Sequence, residues 1–203
     1  KLKDNPCKVY ALVRSLEKAQ QRFADFSDAQ DIFFLEQDVC FPLPEELKVN
    51  FIIHAASNAS PTYYKSDPVG VLAANLLGTR QLLEFGKDHS VDGFLYFSSG
   101  EIYGEVKSSD FPIREETVGN VDPISLRACY AEGKRAGEAL CKAYNHQFDV
   151  PAIVIRPFHT YGGGYDLNDG RVFMDFVRDA IQKDKIVMHS DGSATRAFCY
   201  IAD

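Results

Sequence analysis

The sequence predicts an α/β protein with a doubly wound parallel sheet, and two features of the chain indicate this class. Short apolar runs, of the kind that parallel sheets bury on both faces, recur along the chain. Stretches with helical periodicity separate these runs, so the order of elements is βαβα and helices are expected on both faces of the sheet.

Each element can be assigned from its local pattern. The first strand, Lys8–Val13, is an apolar run that leads into the helix Leu16–Phe23. The later strands and helices repeat these two patterns, with strands at Ile32–Leu35, Phe51–Ala55, Phe94–Ser98 and Ala152–Arg156, and helices at Val69–Lys87, Tyr130–Phe148 and Arg171–Lys183. The run Gly162-Gly-Gly164 marks a turn after the last of these strands, because clustered glycines interrupt regular structure.

Both ends of the sequence depart from a complete fold of this class. The chain starts with what resembles the tail of a helix, Lys1–Asn5, and no glycine-rich strand-to-helix turn comes before the first strand. Folds that bind dinucleotides use such a turn to bring backbone N–H groups to the pyrophosphate. The other end, Arg196–Asp203, stops after a strand-like run with no closing helix. We therefore expect a fold that is truncated at both ends.

Composition and charge favour a soluble domain with small-molecule partners. The 203 residues are 45% hydrophobic and 25% charged, which is ordinary for one domain with a full core. The net charge of −7 argues against a general binder of nucleic acid or of anionic membranes, although a local basic pocket for one phosphate group stays compatible with it. No apolar stretch approaches the roughly 20 residues that span a bilayer, and no signal-like segment is visible.

The cysteines indicate neither a metal site nor disulfides. Their number is odd, they are scattered, and none forms a CxxC pair: Cys7, Cys40, Cys129, Cys141 and Cys199. Zinc sites and disulfide frameworks have recognisable spacings that are missing here. We expect reduced thiols in a cytoplasmic protein that holds no metal.

Two motifs point to hydride chemistry. A helix is predicted to begin at Tyr130-Ala-Glu-Gly-Lys134, and an earlier buried strand ends in Ser98-Ser-Gly-Glu101. Residues i and i+4 of a helix share one face, so the Lys134 ammonium can lie beside the Tyr130 phenol and favour its ionised form. Tyr130 would then take the proton of a substrate hydroxyl that Ser99 holds, while a bound nicotinamide takes the hydride.

Four motifs, in order along the chain, match the pattern of one family. They are His54-Ala-Ala-Ser-Asn-Ala-Ser-Pro61, Arg127-Ala-Cys-Tyr-Ala-Glu-Gly-Lys-Arg135, Asn168-Asp-Gly-Arg-Val172 and Asp191-Gly-Ser-Ala-Thr-Arg-Ala-Phe-Cys-Tyr200. A lone YxxxK spacing is commonly a surface pair on a helix, whereas chance explains four ordered matches poorly. The chain resembles the extended short-chain dehydrogenase/reductases that modify nucleotide sugars. Within that family it is most similar to the UDP-glucuronate decarboxylases, which make UDP-xylose.

The resemblance implies a Rossmann-like fold with two parts. Residues 1–160 would form the NAD-binding domain, without its first strand and its glycine-rich loop. Residues 161–203 would begin the substrate-binding region, which leans over the carboxyl edge of the sheet.

The resemblance also implies tightly bound NAD. Its contacts would be Arg14, Asp38, Val39, His54, Ala55, Ala56, Ser57, Asn75, Tyr130, Lys134 and Pro157. Asp38 and Val39 match a pair that contacts adenine, and His54 is expected to be packed and hydrogen-bonded rather than a base. Arg14 stands where an acidic residue would bind the ribose hydroxyls of NAD and where an arginine could accept the 2′-phosphate of NADP. Because the catalytic cycle of these enzymes returns the hydride, NAD is favoured over NADP.

A nucleotide sugar is the implied substrate. Ser99 would contact O4, Tyr130 would be the base, and Glu101 would lie near C5 and C6. Oxidation of UDP-glucuronate at C4 places the C6 carboxylate β to a ketone, so carbon dioxide can leave while the carbonyl accepts the electrons as an enolate. The hydride then returns to C4. The other implied contacts are His159, Arg171 and Arg196, and a guanidinium fork matches the oxygens of the substrate diphosphate.

Departures from the family pattern leave the sugar open. Gly100 stands where the decarboxylases have Ser and where dTDP-glucose 4,6-dehydratases have an Asp that protonates the departing hydroxyl, which counts against dehydration. His159 replaces a usual Asn, and Gly163 replaces a usual Pro. A 4,6-dehydratase or a 4-epimerase is therefore an alternative, although Glu101 suits an epimerase poorly. A noncatalytic module that binds NAD or a nucleotide sugar is a second alternative, against which the retained catalytic residues argue.

Two predicted helices offer a surface for self-association. Helix pairs of this family commonly bury an apolar face between subunits, so Val69–Lys87 and Tyr130–Phe148 could form a four-helix interface. We expect a homodimer with no nucleic-acid or membrane partner.

Overall fold

Strands and helices alternate along the chain in the order that the sequence predicts. The computed structural model describes residues 7–26, 29–164, 167, 170–188, 190–193 and 195–203. Its strands are β1 (Val9–Val13), β2 (Ile32–Glu36), β3 (Phe51–His54), β4 (Gly93–Phe97), β5 (Ala152–Ile155), β6 (His159–Tyr161) and β7 (Phe198–Tyr200). Its α-helices are α1 (Leu16–Arg22), α2 (Pro61–Ser66), α3 (Pro68–Ala73), α4 (Thr79–Asp88), α5 (Ala128–Phe148) and α6 (Val172–Lys183). The expected helix tail Lys1–Asn5, and Asn168 and Asp169 of the third motif, lie outside the described residues.

All the paired strands run parallel, as predicted. Strand β1 pairs with β2, with Val9 opposite Ile32. Strands β3, β4 and β5 form a sheet with β4 at its centre. Strand β6 pairs with β7, which confirms the strand-like run near the end of the chain.

The hydrogen-bonded strands form three separate groups rather than one continuous sheet. In a doubly wound sheet with the strand order 3-2-1-4-5-6, the first strand lies between the second and the fourth. Strands β1 and β3 match the second and fourth positions of this order, which are not neighbours. This correspondence accounts for the lack of a ladder between β1 and β3 in the described chain.

The main core lies between the β3–β5 sheet and the helices α4 and α5. Its buried members include Ile52, Leu82, Leu83, Phe85, Phe94, Tyr96, Cys141 and Tyr144. Side chains alternate between the two faces of a strand, so Ile52 is buried while Phe51 and Ile53 are 68% and 67% exposed. The described helices therefore cover one face of this sheet, where the sequence predicts helices on both.

The predicted helix Val69–Lys87 is three elements in the structure. Helix α3 begins at Pro68, with the Asp67 carboxylate accepting from Gly70 N at 3.0 Å. A π-helical turn, Ala74–Gly78, then joins α3 to α4. Within it, the Asn75 side chain donates to Val71 O at 2.8 Å and the Thr79 hydroxyl donates to Asn75 O at 2.5 Å. These bonds to the backbone stabilise the wider turn, which in α-helices is often found at functional sites.

None of the described helices is both long enough and apolar enough to cross a membrane.

Candidate active site

The N-terminal half of α5 places Tyr130 and Lys134 on one buried face. Tyr130 is 6% exposed and Lys134 is 2% exposed. The Lys134 ammonium donates to Phe97 O, at the end of β4, at 2.6 Å, and it lies 5.8 Å from the centroid of the Tyr130 ring. Gly137 allows α5 to lie this close to β4, because a Cβ at this position would lie 2.1 Å from the Tyr96 hydroxyl. Lys134 thus lies beside Tyr130, as the i, i+4 spacing predicts, and both side chains are next to the end of β4.

Ser99 joins this pair from the loop after β4. It caps the 3₁₀ helix Gly100–Tyr103, and its hydroxyl accepts from Glu101 N at 3.2 Å. Burial raises the pKa of Tyr130, and a hydrogen bond with Ser99 opposes this rise. The net direction is upward, whereas the sequence predicts a pKa lowered by Lys134. Burial is the largest cause of the rise, and burial also lowers the pKa of Lys134 to about 8.

Glu101 is held at the mouth of the site by Arg127. The guanidinium of Arg127, the residue before α5, donates to both carboxylate oxygens at 2.8 to 3.2 Å. The Arg127 side chain is 62% exposed and that of Glu101 is 34% exposed, so solvent reaches the pair. Arg127 belongs to the second of the four sequence motifs but is not among the predicted site residues.

Residues at the end of β3 and just after it, together with Asn75 and Ser98, form the buried inner surface of the site, called its floor. His54 is buried, its Nε2 lies 3.0 Å from the Thr79 hydroxyl, and burial together with Lys134 lowers its pKa to about 3. A neutral, hydrogen-bonded His54 agrees with the expectation that it is not a base. Asn75 is fully buried in the π-helical turn. Buried polar atoms at this floor have no hydrogen-bond partner among the described residues: Ser57 Oγ, Asn75 Oδ1 and Ser98 Oγ.

A second group of predicted residues lies where β1, β2 and β3 end. The Arg14 guanidinium donates to Asn58 Oδ1 at 3.2 Å, which links the end of β1 to the loop after β3. The Asp38 carboxylate accepts from Cys40 N at 2.9 Å. Val39 is buried against Gly78. Ala55 and Ala56, between His54 and Ser57 in the sequence, are both exposed.

The predicted substrate residues beyond β5 lie around His159. Burial lowers the pKa of His159, the charges of Arg196, Arg171 and Arg127 lower it further, and Glu101 raises it. These effects place all four charged side chains within electrostatic reach of one imidazole. Pro157 O accepts from Gly100 N at 3.0 Å, so the end of β5 contacts the loop that carries Ser99.

Tyr64 belongs to the site although the sequence analysis did not select it. It lies on α2, its exposure is 6%, and its ring stacks on that of Tyr130. Its only sequence signal is its place just after the motif that ends at Pro61. Among the described residues, no group of three or more His, Cys, Asp or Glu side chains could hold a metal ion.

Comparison with known proteins gives consistent matches. The model of the NAD-dependent epimerase/dehydratase family matches residues 1–203. UDP-glucuronic acid decarboxylase 1 of Danio rerio is 39% identical over 169 residues, which cover 83% of this chain and 39% of that protein. The enzyme of the same name from Arabidopsis thaliana is 38% identical over 169 residues, with 83% and 38% coverage. The chain thus spans about two fifths of the length of these relatives.

A solved structure shares the fold over nearly the whole chain. UDP-glucuronic acid 4-epimerase from Bacillus cereus, in complex with UDP-glucuronic acid and NAD, superposes with a TM-score of 0.82. The sequence identity is 22%, and the match covers 99% of this chain and 63% of that one. This likeness confirms the Rossmann-like fold.

Proposed function

The chain belongs to the NAD-dependent epimerase/dehydratase family, and we propose that it acts on a nucleotide sugar, most specifically by decarboxylating UDP-glucuronate to UDP-xylose. The observation that carries the proposal is that two buried side chains, Tyr130 and Lys134, lie together on one face of α5. The curated relatives at 38–39% identity are UDP-glucuronic acid decarboxylases, which supports this substrate.

The residues at the floor of the site suit bound NAD. Lys134 donates one bond, to Phe97 O, and its other N–H groups have no acceptor among the described residues. The ribose hydroxyls of NAD could accept these bonds. Ser57 Oγ and Asn75 Oδ1 are also buried without partners in the described chain, and burying such groups is unfavourable unless something bonds to them. When bound, NAD would accept a hydride from C4 of the sugar and return it.

Three side chains would contact the sugar directly. Tyr130 would remove the proton from the C4 hydroxyl, and Ser99 would hold that oxygen through its own hydroxyl. With C4 a ketone, the C5–C6 bond breaks and carbon dioxide leaves. The electron pair of that bond stays on the sugar as an enolate, and a proton then adds at C5. Glu101, held by Arg127, would lie on the C5 and C6 side of the sugar. Arg171 and Arg196 would bind the diphosphate.

The identity of residue 100 favours decarboxylation over dehydration. A 4,6-dehydratase needs an acid that protonates the departing C6 hydroxyl, and Gly100 has no side chain to supply one. The fold match to a 4-epimerase is below 25% identity and does not favour that reaction.

We also propose a cytoplasmic homodimer whose substrate-binding region begins at residue 161. Outward-facing apolar side chains on the π-helical turn support the dimer, since Leu76 and Leu77 are 37% and 49% exposed. Light scattering tests it, and a monomer at micromolar concentration would contradict it. The scattered free thiols support the compartment.

The first experiment is product analysis with the protein at its natural length. It is incubated with NAD and UDP-glucuronate, and the nucleotide sugars are separated by chromatography and identified by mass spectrometry. We expect UDP-xylose, with turnover reduced about 10²- to 10⁴-fold in Tyr130→Phe. A C4 epimer of unchanged mass would overturn the proposed decarboxylation, and activity only on a neutral nucleotide hexose with loss of water would overturn the proposed substrate as well.

A further inference from the structure

Arg156, directly after β5, connects two elements of the candidate site, helix α5 and the 3₁₀ helix Gly100–Tyr103. Its guanidinium donates to both carboxylate oxygens of Glu138 on α5, at 2.9 and 2.7 Å. It also donates to the Tyr103 hydroxyl at 2.9 Å and to Glu115 O at 2.7 Å. The Arg156 and Glu138 side chains are only 26% and 15% exposed, so solvent screens this pair weakly.

The two partners of Arg156 are parts of the elements that carry the chemistry. Tyr130, Lys134 and Glu138 are spaced at i, i+4 and i+8, so they form one row along α5. Tyr103 ends the short 3₁₀ helix that Ser99 caps and that contains Glu101. Arg156 therefore links the row that carries the base to the turn that carries its hydrogen-bond partner.

The chemistry of the guanidinium makes this link specific. A planar fork bonded to both oxygens of a carboxylate fixes orientation as well as distance, which a lysine ammonium cannot do. Tyr103 is itself held, because it is 4% exposed and its ring stacks on Phe158 with 6.0 Å between centroids. The Tyr103 end of the link is thus fixed by packing.

We propose that Arg156 is a positioning residue that sets the place of Ser99 and Glu101 relative to Tyr130 through Glu138 and Tyr103. This inference rests on the proposed role of Tyr130 as the base. Misplacement of reacting groups by about 1 Å can lower a rate about 100-fold, so a link of this kind affects the chemical step more than binding.

Three variants test the link. Arg156→Lys keeps the charge but loses the fork, Glu138→Gln keeps the shape but loses the charge, and Tyr103→Phe removes one acceptor only. The matched control is Glu84→Gln, because Glu84 accepts from Tyr144 near the other end of α5 and pairs with Lys87. The protein is used at its natural length with NAD, on whichever of UDP-glucuronate, UDP-glucose and dTDP-glucose the wild type converts.

We expect kcat to fall about 10- to 100-fold in Arg156→Lys and Glu138→Gln, less in Tyr103→Phe, with KM within about threefold. The acidic limb of the kcat profile should move to higher pH, because the hydrogen bond with Ser99 lowers the pKa of Tyr130 and would be weakened. Glu84→Gln should leave both unchanged. The pKa of Tyr130 can also be measured without turnover. Tyrosinate absorbance is titrated for each variant and for the same variant with Tyr130→Phe added, and the difference between the two titrations should show the same shift.

Two results would overturn the inference. One is an unchanged kcat in Arg156→Lys. The other is a lower kcat with an unmoved pH profile and an unmoved Tyr130 titration, in step with a lower melting temperature, which would make Arg156 merely structural. The proposed function is tested separately, by which nucleotide sugar the wild type converts. The positioning role is tested by the ratio of variant kcat to wild-type kcat, which is measured on whichever sugar is accepted.

Discussion

The ring of Tyr64 lies almost parallel to the ring of Tyr130, with 5.2 Å between the centroids and 25° between the planes. Tyr64 is fixed in turn, because its hydroxyl donates to Ala59 O at 2.9 Å and the side chain is buried. A stacked neighbour of this kind restricts the tilt of the Tyr130 phenol. Orientation of the proposed base thus depends on a helix that the sequence analysis did not predict.

Two replacements of Tyr64 should distinguish the contribution of its ring from that of its hydroxyl. We expect Tyr64→Leu to lower kcat about 10- to 100-fold and stability by about 1–3 kcal/mol, because the stack is lost. Tyr64→Phe keeps the stack and should stay within a few-fold of the wild type. Steady-state kinetics and thermal denaturation measure both. Equal losses in the two variants would show that the hydroxyl, rather than the stack, matters.

Lys134 should lower stability while supporting activity. Burial lowers its pKa from 10.5 to about 8, so the folded protein holds a buried cation at neutral pH. The unfolded chain binds more protons between these two values, and stability therefore rises with pH across that window. We expect Lys134→Met to abolish turnover and to raise stability by about 1–3 kcal/mol below pH 8, with the gain shrinking toward pH 10.5. Thermal denaturation across this range measures it, and a gain independent of pH would contradict the account.

His89 should make stability depend on pH near neutrality. Its Nδ1 and Nε2 each lie 3.0 Å from a carbonyl oxygen, of Phe85 and Glu45 respectively, and only the cationic ring donates to both. The bond to Glu45 O is the largest cause that raises its pKa above 6.5. The contribution is therefore complete below 6.5 and is lost as the pH rises through the folded pKa.

The test compares the wild type with His89→Gln, which can bond to one carbonyl at a time. The difference in melting temperature should be larger below pH 6.5 than about two units higher. A difference that is constant with pH would refute the role of the cationic ring.

Gly100 should be intolerant of a side chain. A Cβ at this position would lie 2.8 to 3.0 Å from three atoms of the Phe158 ring, so the ring would have to move. We expect Gly100→Ser to cost about 1–3 kcal/mol in stability and to raise KM for the nucleotide sugar. The double variant with Phe158→Leu should recover both. Full activity of Gly100→Ser alone would show that the ring moves freely.

The sequence predicts well whatever depends on local spacing. Strand β4, the start of α5 near Tyr130 and the placement of Lys134 beside it follow from apolar runs and from the i, i+4 rule. The π-helical turn does not follow from local spacing, because the pattern of apolar residues runs unbroken through it. It depends on side-chain bonds from Asn75 and Thr79 to the backbone, which the spacing does not encode.

Contacts between distant segments account for the other differences. The pairing of Arg156 with Glu138, and of Glu101 with Arg127, joins residues far apart in sequence, so no local pattern indicates them. The direction of the Tyr130 pKa shift is a similar case. Spacing places a cation nearby, whereas the degree of burial, which decides the sign, depends on the whole fold.

The bond from the Lys134 ammonium to Phe97 O has a mechanical consequence. Breaking it would leave a buried cation without its acceptor, which costs several kcal/mol, so α5 and β4 must move as a single rigid body. Helix α5, which carries the proposed base, therefore keeps a fixed position relative to the end of β4 and the loop that carries Ser99.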